Sequence, residues 1–319
     1  MAKDFKEYEH MRDAFVDAVS DLAEKDDRIV MLDADLSVCV NSGSFQEKYP
    51  DRFFNVGISE ADMVGVSAGL SSTGLIPFAH TFACFASRRA FDQFFLSANY
   101  AQQNVKLVGT DPGITSQMNG GTHMPFEDFG IMKMVPGLVV FEPSDTVSAY
   151  KLTQKAAEHK GSTYMRLRRK GTTVLYSDDQ EFELGKGNVL LDGDDITIIA
   201  AGMVMVTASL KAAELLKKEG ISAAVIDMHT IKPLDEELVL KYAKKTGAIV
   251  TCEDAQRVNG LGSSVSDYLS ENWPTLVRRV GIDDEFGEVG TLDYLQKRYK
   301  LTAEDVVRNV KETLTLKER

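Results

Sequence analysis

Two successive runs of alternating strand and helix patterns, parted by a glycine- and aspartate-rich break, restrict this chain to layered α/β architecture. In the first run Phe5, Tyr8, Ala14, Phe15, Ala18, Val19 and Leu22 recur at helical spacing, and Ile29-Val-Met-Leu-Asp33 follows as a buried strand. Glu60 comes next, in Arg52-Phe-Phe-Asn-Val-Gly-Ile-Ser-Glu60, after a strand end and at the first turn of a helix. Small residues Gly65, Ala68 and Gly69 let that helix pack closely. A strand at residues 76–82, a helix near 87–101, strands at 105–109 and 138–141, a helix from 144 and a strand at 164–167 complete the run. Apolar strands between helices predict a parallel sheet covered on both faces.

The break spans residues 171–195, with Gly171, Ser177-Asp-Asp, Gly185-Lys-Gly187 and Asp192-Gly-Asp-Asp. A second alternation follows: strands at 196–200, 223–227 and 248–252, a helix at 204–218 ended by Gly220, and another helix after Pro233. Thr302-Ala-Glu-Asp305 resembles a capping box ahead of a terminal helix. The fold class is therefore α/β, with two three-layer α/β/α domains over residues 1–178 and 179–319.

A net charge of −12 opposes a nucleic-acid or anionic-membrane surface as the main business of the chain. At 44% hydrophobic, its 319 residues suffice for two cores. Cys39, Cys84 and Cys252 lack disulfide or zinc spacing and are expected as reduced, mostly buried thiols. No apolar leader or span of membrane length is evident, so a cytoplasmic location is expected.

Each chemical candidate has a structural competitor. With Ser59 as the cap, Glu60 and Asp62 at a helix start stabilise the helix by about 0.3–1 kcal/mol each, which alone accounts for them. Asn259-Gly-Leu-Gly262 between strand and helix offers either an anion cradle or a tight turn. His123, in Asn119-Gly-Gly-Thr-His123, sits in a glycine-rich loop of the kind that carries function, or is simply exposed there. His10 and His159 read as surface residues. Arg166, Arg168, Arg169 and Lys170 form a basic run that suits a phosphate or sulfonate, or the outward face of an edge strand. Phe82 and Phe85 could stack on an aromatic ligand or fill the core.

Taken together and in order, Met31-Leu-Asp-Ala-Asp35-Leu, Arg52 through Glu60, Thr81-Phe82-Ala-Cys-Phe85, Gly120-Gly-Thr-His123, Ile231-Lys-Pro-Leu-Asp235 and Gly260-Leu-Gly262-Ser resemble the C-terminal part of a transketolase. The resemblance covers nearly the whole chain and fits the small subunit of a split, two-chain enzyme. It implies a pyrimidine-binding domain followed by a transketolase C-terminal domain, with thiamine diphosphate held between subunits. Glu60 would hydrogen-bond the cofactor's pyrimidine N1′ and favour its reactive imino tautomer, a bond strengthened in a dry site. Phe82 and Phe85 would embrace the pyrimidine, and Asp35 would lie near the cofactor. His123 would contact the donor sugar and carry protons.

The family's Gly-Asp-Gly diphosphate signature has no convincing copy, since Asp192-Gly-Asp-Asp lies in the break. The resemblance therefore implies an N-terminal partner that supplies the diphosphate and magnesium site in an α2β2 complex, with no metal ligand on this chain. Asp111 stands where many transketolases carry a phosphate-contacting histidine, Met118-Asn119 replaces an acidic pair, and Ser37-Val-Cys39-Val-Asn41 replaces a small polar segment. Those departures imply a branched, sulfonated or otherwise unusual sugar donor, while Arg169, then Arg166, best match the family's phosphate-binding arginine. The alternatives are a deoxyxylulose-phosphate synthase-like or 2-oxoacid dehydrogenase beta-type subunit, or a non-catalytic regulatory pseudo-subunit.

Overall fold

The computed structural model describes residues 8–171 and 173–317 and divides them into two compact units, each taken here by itself. The first comprises residues up to 112, 135–138 and 145–184; the second comprises 113–134, 139–144 and 185 onward. The expected helix at the start is Met11–Lys25, and Phe5, assigned to it from its spacing, lies outside the described residues.

In the first unit, five parallel strands among the described residues run in the order Thr163–Leu167, Lys106–Thr110, Ile76–Phe82, Ile29–Asp33, Phe53–Asn55. The three inner strands are buried along their whole length, as their continuous apolar runs require. Helices Met11–Lys25 and Thr146–Glu158 pack on one another, and helix Glu60–Ser72 lies against strand Ile76–Phe82. Beyond that strand the chain winds through wide π turns at Phe85–Arg89 and Phe94–Tyr100, where a regular helix was expected. Such turns are uncommon and recur at functional sites, because an extra residue per turn re-aims the side chains.

Asp145 shows how tightly this unit's loops are held. Its buried carboxylate accepts from Ser148 N at 2.7 Å, capping helix Thr146–Glu158, and from the Leu175 and Tyr176 amides at 3.0 Å each. Asp145→Ala orphans all three donors and is expected to cost at least about 2 kcal/mol, read as a lower urea midpoint at unchanged m-value.

In the second unit, a sheet of five strands among the described residues is ordered Leu276–Ile282, Ala248–Gln256, Ile196–Ala200, Ala223–Asp227, Asn188–Leu191. The last strand is antiparallel to its neighbour, so this sheet is mixed. It lies inside the stretch read as a break, where a run of only three apolar residues, Val189-Leu-Leu191, sits between glycine- and aspartate-rich segments, and Val189 and Leu191 stay exposed. Helices Gly202–Lys218 and Ala303–Lys317 pack together beside this sheet. Thr302 and Asp305 form the expected reciprocal cap, with Asp305 Oδ2 accepting from Thr302 N at 3.1 Å and Thr302 Oγ1 accepting from Asp305 N at 3.3 Å.

Candidate active site

Glu60 opens helix Glu60–Ser72 and is 1% exposed. The capping account of this residue does not hold, because Ser59 makes no side-chain cap hydrogen bond. A helix-dipole acid belongs at the surface, whereas burying a carboxylate costs free energy unless it is paired. The pairing comes from Arg89 on the π-turn segment, whose Nη1 donates to Glu60 Oε2 at 2.8 Å. Among the described residues Oε1 accepts no hydrogen bond. One carboxylate oxygen is thus anchored and the other is left for a ligand.

Arg89 also ties Glu60 to the two phenylalanines. Its guanidinium carbon lies 4.1 Å from the Phe85 ring centroid, and the Phe85 and Phe82 rings stand 6.1 Å apart at a 49° tilt. Phe82 ends strand Ile76–Phe82, which reaches this position because Gly109 on the neighbouring strand has no side chain: a Cβ there would stand 2.8 Å from the Ala83 Cα. Arg169 also lies against Phe82, with its guanidinium carbon 5.3 Å from that ring centroid.

Arg169 in turn holds Asp111. Its Nε donates to Asp111 Oδ2 at 2.7 Å and its Nη2 stands 2.5 Å from the same oxygen. Burial is the largest influence and works against the Arg169 charge, but the hydrogen bond and charge of Asp111 together with the Cys39 thiol outweigh it and raise the guanidinium pKa above its ordinary value. Arg12, from the first helix, closes this end: its Nη1 donates to the Cys39 carbonyl at 2.8 Å, and its backbone N–H reaches the Arg169 carbonyl at 3.4 Å. Its buried Nε has no hydrogen-bond partner among the described residues. A contiguous path therefore runs Glu60, Arg89, Phe85, Phe82, Arg169, Asp111 within one unit.

Arg89 and Arg12 are the members that sequence reasoning missed. Arg89 adjoins Phe85 on an acidic chain, which is a usable signal; Arg12 sits in an ordinary amphipathic helix and carries none. Arg166, the second choice for an anion contact, is fully buried in strand Thr163–Leu167, so its charge does not face outward from an edge strand. Asp35 is exposed and left-handed at φ 63°, and its amide donates to Asn55 Oδ1 at 3.1 Å. Its loop is pinned from beneath: Asp33 accepts from the Leu36 amide and faces His80 Nδ1 at 2.9 Å, while His80 Nε2 meets Thr110 Oγ1 at 3.1 Å. His80 is thus a buried clamp across three strands.

His123 belongs to the second unit, apart from the path above. It is half-buried in the turn Gly121–His123, with Nδ1 2.9 Å from Thr122 Oγ1 and its carbonyl accepting from Ser116 Oγ at 2.5 Å. Gly121 cannot be replaced there, because the Gly287 carbonyl fills the space of a side chain. The Asn259–Gly262 turn is not an anion cradle: the Leu261 and Gly262 amides already donate to the buried Glu253 carboxylate at 2.8 and 2.9 Å. Asp192 and Asp194 are likewise engaged, both by Lys245. His10 and His159 are part-buried, and Cys39, Cys84 and Cys252 are unbridged. Burial pushes the Cys84 thiol up to about 11 and the Cys252 thiol to about 12, so neither is a thiolate at neutral pH. Among the described residues no helix is long and apolar enough to cross a membrane, and no cluster of three or more His, Cys, Asp or Glu is gathered as for a metal ion.

Residues 8–173 match the family model of the transketolase pyrimidine binding domain, and residues 185–306 match that of the transketolase C-terminal domain. The chain belongs to the transketolase family. It is 49% identical, over 93% of its length and 92% of the relative's, to the 6-deoxy-6-sulfo-D-fructose transketolase subunit of Clostridium sp. (strain MSTE9). A putative transketolase C-terminal section from Methanocaldococcus jannaschii is 39% identical, over 96% of this chain and 97% of the relative. Among solved structures, a split-gene transketolase described as an inactive beta4 tetramer superposes with a TM-score of 0.89 at 43% identity, covering 97% of this chain and 99% of that one. This transketolase chain therefore matches the C-terminal component of two-chain enzymes along essentially its whole length.

Proposed function

We propose that this chain is the C-terminal subunit of a two-chain transketolase that moves a two-carbon ketol unit from a sulfonated ketose, of the 6-deoxy-6-sulfofructose type, to an aldose acceptor. The observation that carries the reading is the buried Glu60 carboxylate, one oxygen anchored by Arg89 and the other unbonded among the described residues, beside the Phe82–Phe85 pair. These groups suit the pyrimidine half of thiamine diphosphate: an acceptor for the ring's N1′ and two apolar faces for the ring. When bound, that cofactor supplies the nucleophilic carbon that takes up the ketol unit. Glu60 Oε1 is assigned to N1′, Asp35 to the cofactor's rim, and His123 to the donor's hydroxyls and proton movement. Arg169, rather than the enclosed Arg166, is assigned to the donor's anionic end, with Asp111 beside it.

The diphosphate and its magnesium fall to an N-terminal partner subunit, in an α2β2 assembly. The 178/179 division between the two domains belongs to the same reading.

Reconstitution with the partner tests the function. The complex is expected to prefer the sulfonated ketose over the corresponding ketose phosphate by at least about tenfold in kcat/KM, a difference of about 1.4 kcal/mol. Equal efficiency with both donors would count against the donor assignment, and no transfer from either would count against ketol transfer. Arg169→Ala is expected to raise the donor KM by at least about tenfold while kcat moves less, since a charge-assisted contact to the donor is lost.

A further inference from the structure

We infer that Asp111 is the specificity-determining residue that tunes the anion subsite to a single negative charge, and so admits a sulfonate while disfavouring a phosphate dianion. The inference rests on the reading of the donor as sulfonated and goes beyond it by naming the residue that discriminates. A sulfonate carries one negative charge across the working pH range. A phosphate monoester carries about −1.5 to −2 at pH 7, with its second pKa about 6. Shape hardly separates the two groups, both tetrahedral with three terminal oxygens, so charge must.

The charge beside Arg169 sets the discrimination. Arg12 and Arg169 meet here through the 3.4 Å bond from the Arg12 amide to the Arg169 carbonyl, and Arg12 Nη1 donates to the Cys39 carbonyl at 2.8 Å. Asp111 takes up the Arg169 charge, with two Arg169 nitrogens within 2.7 Å of a single carboxylate oxygen. Asp13 pairs with Arg12 at 3.7 Å, and its carboxylate also accepts from Asn41 Nδ2 at 2.9 Å. Among the described residues Cys39, His10, which accepts from Gly171 N at 3.3 Å, and Arg168, whose guanidinium lies against Gly171, are further ionisable groups nearby. The Arg169 and Asp111 side chains keep only 14% and 6% exposure, so water screens the pair poorly. An anion bound at Arg169 lies beside the Asp111 carboxylate, and a dianion meets that charge with about twice the Coulomb repulsion of a monoanion.

Asp111 is also the right place for a conservative test. It follows strand Lys106–Thr110 at φ 54°, a left-handed conformation that asparagine tolerates, so Asp111→Asn removes the charge without straining the backbone. The measurement is kcat/KM of the reconstituted complex for a sulfonated ketose and for its phosphate counterpart between about pH 8 and pH 5.5. Their ratio cancels titrations common to both donors. In the wild type the sulfonate-over-phosphate ratio is expected to fall at least about tenfold as pH drops through the phosphate's second pKa, because the phosphate then becomes a monoanion. In Asp111→Asn the ratio at pH 8 is expected to be at least about tenfold lower than wild type and nearly flat with pH. A wild-type ratio that favours sulfonate but does not move with pH, or an unchanged ratio in Asp111→Asn, would overturn the role of Asp111 alone. A wild type that favours phosphate across the whole range would overturn the donor reading as well. Should the variant fail to fold, the wild-type pH series still decides.

Discussion

The purified chain, given thiamine diphosphate, magnesium and a ketose donor, is expected to transfer no ketol unit until the N-terminal partner subunit is added. The reason lies in what its residues can hold. The first unit offers a carboxylate and two phenylalanines for an aromatic ring, but the acids that could be mistaken for a diphosphate–metal loop are already spent: Asp192 and Asp194 bind Lys245, and the Asp195 carboxylate accepts from the Ser222 amide. The helix start at the Asn259–Gly262 turn is filled by Glu253. Titration with the partner should bring activity from background to a plateau at equimolar subunits. Turnover by this chain alone would contradict the account.

Glu60→Gln is expected to lower kcat of the reconstituted complex by about 10²–10⁴-fold, the span usual for losing a positioned proton-transfer group. Glutamine keeps the side chain's volume and an oxygen to accept from Arg89, so the variant should fold and bind donor with little change in KM. What it loses is a charge that, at 1% exposure, polarises its partner far more than it would in water. Glu60→Ala is a harsher change, because it also removes the ion pair with Arg89 and empties the buried side-chain volume. An unchanged rate in Glu60→Gln would turn this subunit into a scaffold and favour the pseudo-subunit alternative.

Strands buried on both faces were legible because burial leaves a continuous apolar run. Ile29–Asp33, Ile76–Phe82, Ile196–Ala200 and Ala223–Asp227 fall on the residues expected. Edge elements were not. Leu276–Ile282 carries Arg278 and Arg279 in its middle, and Asn188–Leu191 is covered only at alternate residues. The site was half legible for a similar reason. Glu60, Phe82 and Phe85 sit in local runs, but Arg89 earns its role by reaching Glu60 across 29 residues, and Arg12 by meeting Cys39 across 27. Local spacing carries no trace of such contacts. Arg166 went the other way: its charge pattern suggested a surface, while the parallel neighbour strand encloses it.

The central claim is that Glu60 activates the cofactor held with the partner subunit, and proton exchange at the thiazolium C2 of thiamine diphosphate reports on that step without any sugar present. In the reconstituted complex, quenched-flow deuterium exchange should be fast for the wild type and slower by about 10²–10⁴-fold for Glu60→Gln, with cofactor affinity little changed. Equal exchange rates in the two complexes would contradict it.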